Sequence, residues 1–136
     1  TNTGSNQTFD DASASNHTIT VAGNSTASTF SPHRHGGYSA YFDGTGDRLN
    51  ITSALSISGD FTIEGWFMRT PGFDAQGGYI WDMQTPRASL LVHSGGAFRV
   101  YASGDIAQAP AGNCTLNEWV HFALVRQGSG TNNCVF

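Results

Sequence analysis

The chain has no lysine at all: its six basic residues are arginines, set against ten acidic residues and a formal net charge of −4 over 136 residues. Without a basic patch there is no electrostatic footprint for nucleic acid or an anionic bilayer, so neither partner is expected. No apolar run approaches the roughly 18 residues that a membrane-spanning helix needs, so membrane insertion is not expected either. Charged residues make up only 12% of the chain, and a convincing 3.6-residue apolar period over ten or more residues is missing, which excludes a helical fold. Catalytic signatures are missing too. There are two glutamates, Glu64 and Glu118, with no E-x-D-x-x-E pattern to hold two carboxylates in a cleft, no G-x-S-x-G elbow and no zinc-spaced Cys/His set. The chain is therefore read as a non-enzyme.

What is abundant is Gly, Ser, Thr and Asn, with aromatics at 12%, the composition of short strands joined by polar turns. Strands are expected at 17–22, 39–42, 48–51, 61–69, 79–83, 89–93, 97–102 and 119–126, with a ninth beginning near Asn133. Residues 24–37 read as one long ordered loop. Two hairpins can be read to the level of faces. A turn at Ser94-Gly95-Gly96 sets Val92 opposite Phe98 and Leu90 opposite Val100 as a core face. Ser89, Leu91, His93, Arg99 and Tyr101 then share the other face, as a solvated surface or a binding surface. A second turn at Ser129-Gly130 sets Val125 opposite Cys134, with Trp119, His121 and Ala123 on that side and Val120, Phe122, Leu124 and Val135 behind. Trp66 and Trp119 are expected in the core.

Three blocks carry a family resemblance: Tyr41-Phe42-Asp43-Gly44-Thr45-Gly46-Asp47, Phe61-Thr62-Ile63-Glu64-Gly65-Trp66 and Trp119-Val120-His121-Phe122-Ala123-Leu124-Val125-Arg126. In order and spacing they resemble the laminin-G-like, concanavalin-type lectin and glucanase domains, from about Phe9 to the last residue. The opening 9–24 is similar to laminin-G-like modules of tailed-phage and viral structural proteins. The resemblance implies an all-β, two-sheet antiparallel jelly-roll sandwich over 9–136 behind an N-terminal arm, 1–8. It also implies further strands after Phe136, supplied by residues beyond it or by a neighbouring chain, since a sheet edge left open is avoided.

The same resemblance places calcium at one rim in some relatives, and Asp11, Asp43 and Asp47 are hard oxygen donors at strand ends. Asp-Gly pairs are equally the chemistry of tight turns, so a calcium ligand set and a turn cap both stand as readings. His33-Arg34-His35 sets two imidazoles on one side of an extended segment, as a metal site or as loop surface. Cys114 and Cys134 are the only cysteines. A bridge needs their Cα atoms within about 7 Å, and two separate thiols are the simpler outcome.

Sugars are bound by flat aromatic faces with polar groups at the rim, and Tyr79, Trp81, Asp82, His93, Arg99 and Tyr101 offer that mixture. The alternative places Tyr79 and Trp81 in the core and leaves the rest as an ordinary solvated sheet face. Sequons at Asn6, Asn16, Asn24, Asn50 and Asn113 suit an extracellular chain, and a composition so rich in Asn, Ser and Thr suits a virion exterior. The expectation is a surface module, extracellular or on a virion, that engages a glycan or else packs against neighbouring subunits, including copies of itself.

Overall fold

A computed structural model describes residues 6–29, 37–52, 59–71, 77–84, 87–93, 95–101, 105–128 and 134–135. His33, Arg34 and His35 lie outside the described residues, as do the turn residues Ser94, Ser129 and Gly130. The described residues contain no helix. The strands are β1 (Ile19–Ala22), β2 (Thr26–Ser28), β3 (Ser39–Tyr41), β4 (Arg48–Ile51), β5 (Phe61–Met68), β6 (Gly78–Gln84), β7 (Arg87–Val92), β8 (Phe98–Tyr101), β9 (Asp105–Gln108), β10 (Trp119–Arg126) and β11 (Cys134–Val135). They pair antiparallel throughout, and they fall in two compact units, Thr1–Ser56 and Ile57–Phe136.

The first unit contains two ribbons, β1 with β4 and β2 with β3. The residue at Asn6 bridges to Ala27, whose N–H donates to the Asn6 carbonyl at 2.8 Å. Among its described residues Ser25, Ser28 and Ser39 are buried, whereas Tyr38, Tyr41, Phe42 and Ile51 are exposed. Polar turns, described below, tie its strand ends together.

The second unit holds a three-stranded sheet, β11-β10-β5, and a four-stranded meander, β6-β7-β8-β9. These two sheets share one apolar layer, a sandwich-like arrangement. Leu90 and Val92 of β7 are fully buried, with Phe98 and Val100 of β8 beside them and Phe122 and Leu124 of β10 facing them. The Phe98 and Phe122 rings stack across the layer, centroids 5.7 Å apart at 30°. Alternation explains which side chains go inward. Along β5 exposure alternates residue by residue, so that Phe61, Ile63 and Phe67 pack on the core while Thr62, Glu64 and Trp66 face out. Gly65 lies on the inward side by the same alternation, and a methyl there would come within 3.2 Å of the ring of Phe122, the residue it pairs with.

Residues 109–117 cross from the meander to β5. Ala109 N–H donates to Phe98 O, Gly112 N–H to Gly95 O, Cys114 N–H to Gly96 O and Asn117 N–H to Arg69 O, all within 2.7–3.0 Å. Gly96 has φ of 75°, and a Cβ on it would stand 2.6 Å from the Cys114 carbonyl oxygen, so the crossing demands glycine there. Cys114 is a free, fully buried thiol. Burial pushes its titration up, partly opposed by the nearby Arg69 guanidinium and a backbone hydrogen bond.

The structure corrects four expectations. Val125 pairs with Val135 and Arg126 with Cys134, one residue out of the register expected for that hairpin. Trp66 is not core: it is 49% exposed on the outward side of β5. Trp119, expected in the core beside it, is only partly buried, at the outward end of β10. β2 falls within the long loop expected at 24–37, and β9 is a strand where none was expected. Leu90→Ala should lower unfolding free energy by about 3 kcal/mol, by lost transfer energy and a cavity, whereas Tyr79→Ala should stay within about 0.5 kcal/mol. Urea unfolding checks both, and equal losses would mean that the buried layer is misplaced.

Candidate functional site

The β7–β8 hairpin fixes one candidate surface. Leu91 pairs with Arg99 and Ser89 with Tyr101, on the side away from the buried Leu90, Val92, Phe98 and Val100. β9 extends the first row, pairing Gln108 with Arg99. On the other flank β6 adds Tyr79 opposite Leu91 and Asp82 opposite Ser89.

Tyr79 and Asp82 are three residues apart, and strict alternation would put them on opposite faces. An irregularity resolves this. The ladder steps from Tyr79↔Leu91 directly to Trp81↔Leu90, leaving Ile80 as an extra residue, the geometry of a β-bulge. Trp81 thereby pairs with a core residue and, like Ile80, packs partly buried against the core. Tyr79 stays outside at 62% exposure.

The outward face thus carries two cross-strand rows, Tyr79–Leu91–Arg99–Gln108 and Asp82–Ser89–Tyr101. Four strands at about 4.8 Å spacing make each full row about 14 Å long, enough for two or three sugar rings. Ser89 is fully buried beneath this face, and its hydroxyl donates to Asp82 Oδ1, which fixes the carboxylate at the edge of the sheet. Arg99, Leu91 and Tyr101 are half-buried, whereas Asp82 and Gln108 are exposed. The surface therefore combines an open phenol, a second phenol, a guanidinium, a carboxylate and an amide.

Of the sequence candidates, Asp82, Arg99 and Tyr101 come together here. Trp81 belongs to the core side. His93 stands just past β7 in the turn, where its N–H donates to Ala97 O and its carbonyl accepts from Gly96 N–H, both at 2.8 Å. Gln108 escaped the sequence reading because β9, with one polar-flanked Ile-Ala pair, has no alternating pattern to detect.

The acidic candidates act as turn caps. Asp47 Oδ1 accepts from Asn24 N–H at 2.7 Å and its Oδ2 from Asp43 N–H at 2.9 Å. Asp43 Oδ1 accepts from Thr45 N–H at 2.6 Å. The Asn24 amide, oriented toward both carboxylates, donates to Asp47 Oδ1 at 2.9 Å and Asp43 Oδ2 at 3.3 Å. This node joins the β1–β2 turn to the β3–β4 turn. Gly23 in the first turn has φ of 75°, and a Cβ on it would meet Asp47 Oδ1 at 2.2 Å. Asp11 is elsewhere, with oxygens that accept from the N–H groups of Ser13 and His17 and the Ser13 hydroxyl at 2.7–2.8 Å. Among the described residues no three or more His, Cys, Asp or Glu side chains gather as a metal ligand set would require. Cys134 on β11 pairs through its backbone with Arg126 on β10, and Cys114 is a free thiol.

No family model, curated protein or solved structure matches the chain, so the reading of this face rests on its residues.

Asp11 yields a pH test. Its carboxyl is held down from 3.8 to about 2, first by the Ser13 hydroxyl, then by the His17 and Ser13 N–H groups. A depressed carboxylate stabilises the fold fully above its unfolded value and loses that contribution as pH falls through the folded one, here from about 4 toward about 2. A carboxyl-detected NMR titration should place Asp11 near 2 in wild type, and Ser13→Ala should raise it. An ordinary value in wild type would remove Asp11 as the cap of this turn.

Proposed function

We propose that this chain is a non-enzymatic surface module that binds glycan through the outward face of the β6-β7-β8-β9 sheet. The reading favours a jelly roll of the concanavalin and laminin-G-like type, on the exterior of a virion or another extracellular assembly. The observation that carries it is the convergence of Tyr79, Asp82, Arg99 and Tyr101 on one face, brought about by the bulge at Ile80. Phenol rings offer flat surfaces to the C–H side of a pyranose, while the guanidinium donates to hydroxyl or carboxylate oxygens and Asp82 accepts from hydroxyls. The chemistry asked of these groups is recognition, without turnover: the E-x-D-x-x-E pattern of retaining glycan hydrolases has no counterpart in the sequence.

A second reading, an assembly or decoration element without a sugar ligand, is favoured by one observation. Residues Tyr38, Tyr41, Phe42 and Ile51 of the first unit are all more than 40% exposed, a set of apolar side chains suited to a neighbouring subunit or a second copy.

Substitution separates the two. Arg99→Ala combined with Tyr101→Ala should weaken retention on immobilised polysaccharide about tenfold or more, with unchanged urea unfolding. Retention equal to wild type in the folded double variant, or no retention of wild type across a broad glycan panel, would transfer the case to assembly.

A further inference from the structure

The outward face of the other sheet carries chemistry that glycan binding by the meander does not use. Trp66 on β5, 49% exposed, pairs across the ladder with His121 on β10. Their ring centroids are 5.2 Å apart with planes tilted at 58°. Glu64, one outward position along β5, brings Oε2 to 3.6 Å from His121 Nε2, with side chains 65% and 45% exposed respectively. Carboxylate, imidazole and indole thus run in sequence across two adjacent strands, open to solvent. Trp119, opposite Met68, continues the same side of β10.

Such a set suits a cation. An indole face attracts ammonium groups within about 6 Å of its ring, and does so more strongly for weakly hydrated, carbon-rich cations. The Glu64 carboxylate adds direct Coulomb attraction, and the net charge of −4 carries the same sign.

We propose that the Glu64–His121–Trp66 face binds an organic ammonium group. Two sources share this chemistry, an amino sugar with a free amine and a quaternary ammonium headgroup. Other charged groups on or beside these strands are engaged elsewhere. Arg126 Nη1 donates to Gly59 O at 3.1 Å, Glu118 accepts from the Thr115 hydroxyl, and Asp60 accepts from Gly128 N–H at 2.6 Å. The site stands apart from Arg99 and Tyr101, so the variant that tests the meander face also separates the two sites.

Tryptophan emission tests this, with the whole chain titrated by tetramethylammonium, glucosamine and the neutral N-acetylglucosamine at constant ionic strength. Saturable quenching is expected from one or both ammonium probes. Response to tetramethylammonium alone would assign the headgroup, response to glucosamine alone the amino sugar, and both support the site. Glu64→Gln, at an exposed position that leaves folding intact, should weaken binding about three- to fivefold. The Arg99→Ala, Tyr101→Ala chain should bind as wild type. Quenching by N-acetylglucosamine equal to that by the ammonium probes, wild-type affinity in Glu64→Gln, or no quenching by any probe would overturn the proposal.

Discussion

One apolar layer sets the outward side of every strand in Ile57–Phe136. Leu90, Val92, Phe98 and Val100 on one sheet must meet Phe122 and Leu124 on the other, and the stacked Phe98 and Phe122 rings mark where they touch. Each such side chain contributes about 1.5–3 kcal/mol by leaving water, more than any surface polar contact in this unit can offset. Because side chains alternate along a strand, fixing these six inward residues fixes Arg99 and Tyr101 outward on β8 and His121 outward on β10. Both candidate surfaces are consequences of that layer. Gly65 belongs to the same constraint, since its missing side chain is the space that the Phe122 ring fills.

Where alternation must be broken, the chain breaks it at a single extra residue. Ile80 lets β6 turn both itself and Trp81 toward the core and still present Tyr79 and Asp82 outside. A regular strand would have left Trp81 on the face of Tyr79, exposing an indole and removing the carboxylate. A bulge beside a functional surface is a frequent device, and here it chooses which residue types reach solvent.

The strongly patterned parts of the sequence were legible. The β7–β8 pairing, Val92 with Phe98 and Leu90 with Val100, follows from a Gly-Gly turn between two alternating runs, and β4 and β10 occur at the expected residues. What stayed hidden lacked local pattern. β2 and β9 are three and four residues long, and pairing partners define them more than their own side chains. The slip of one residue at β11 comes from a turn whose length alternation alone cannot fix, since both faces of β10 are fairly apolar. Trp66 misled because tryptophan is usually credited to a core. Its place follows instead from parity with Glu64, a residue two positions away that is 65% exposed. On the candidate face, Asp82, Arg99 and Tyr101 were legible from the hairpin, whereas the position of Trp81 depended on a bulge with no sequence mark.

The two outward faces differ in charge, and that difference follows from the strands that build them. Arg99 is the one cation that the described outward residues of the meander place in the middle of the sheet, beside Tyr101 and between Leu91 and Gln108. A guanidinium there suits oxygen-rich ligands, including acidic ones. On the β5–β10 face the fixed charge is Glu64, which repels anionic groups and attracts cationic ones. Since a shared core separates the sheets, a substitution on one outward face leaves the packing of the other intact, and sites this far apart respond almost additively. The fold thus allows two surfaces of opposite charge to change independently, provided that the six inward residues between them are kept.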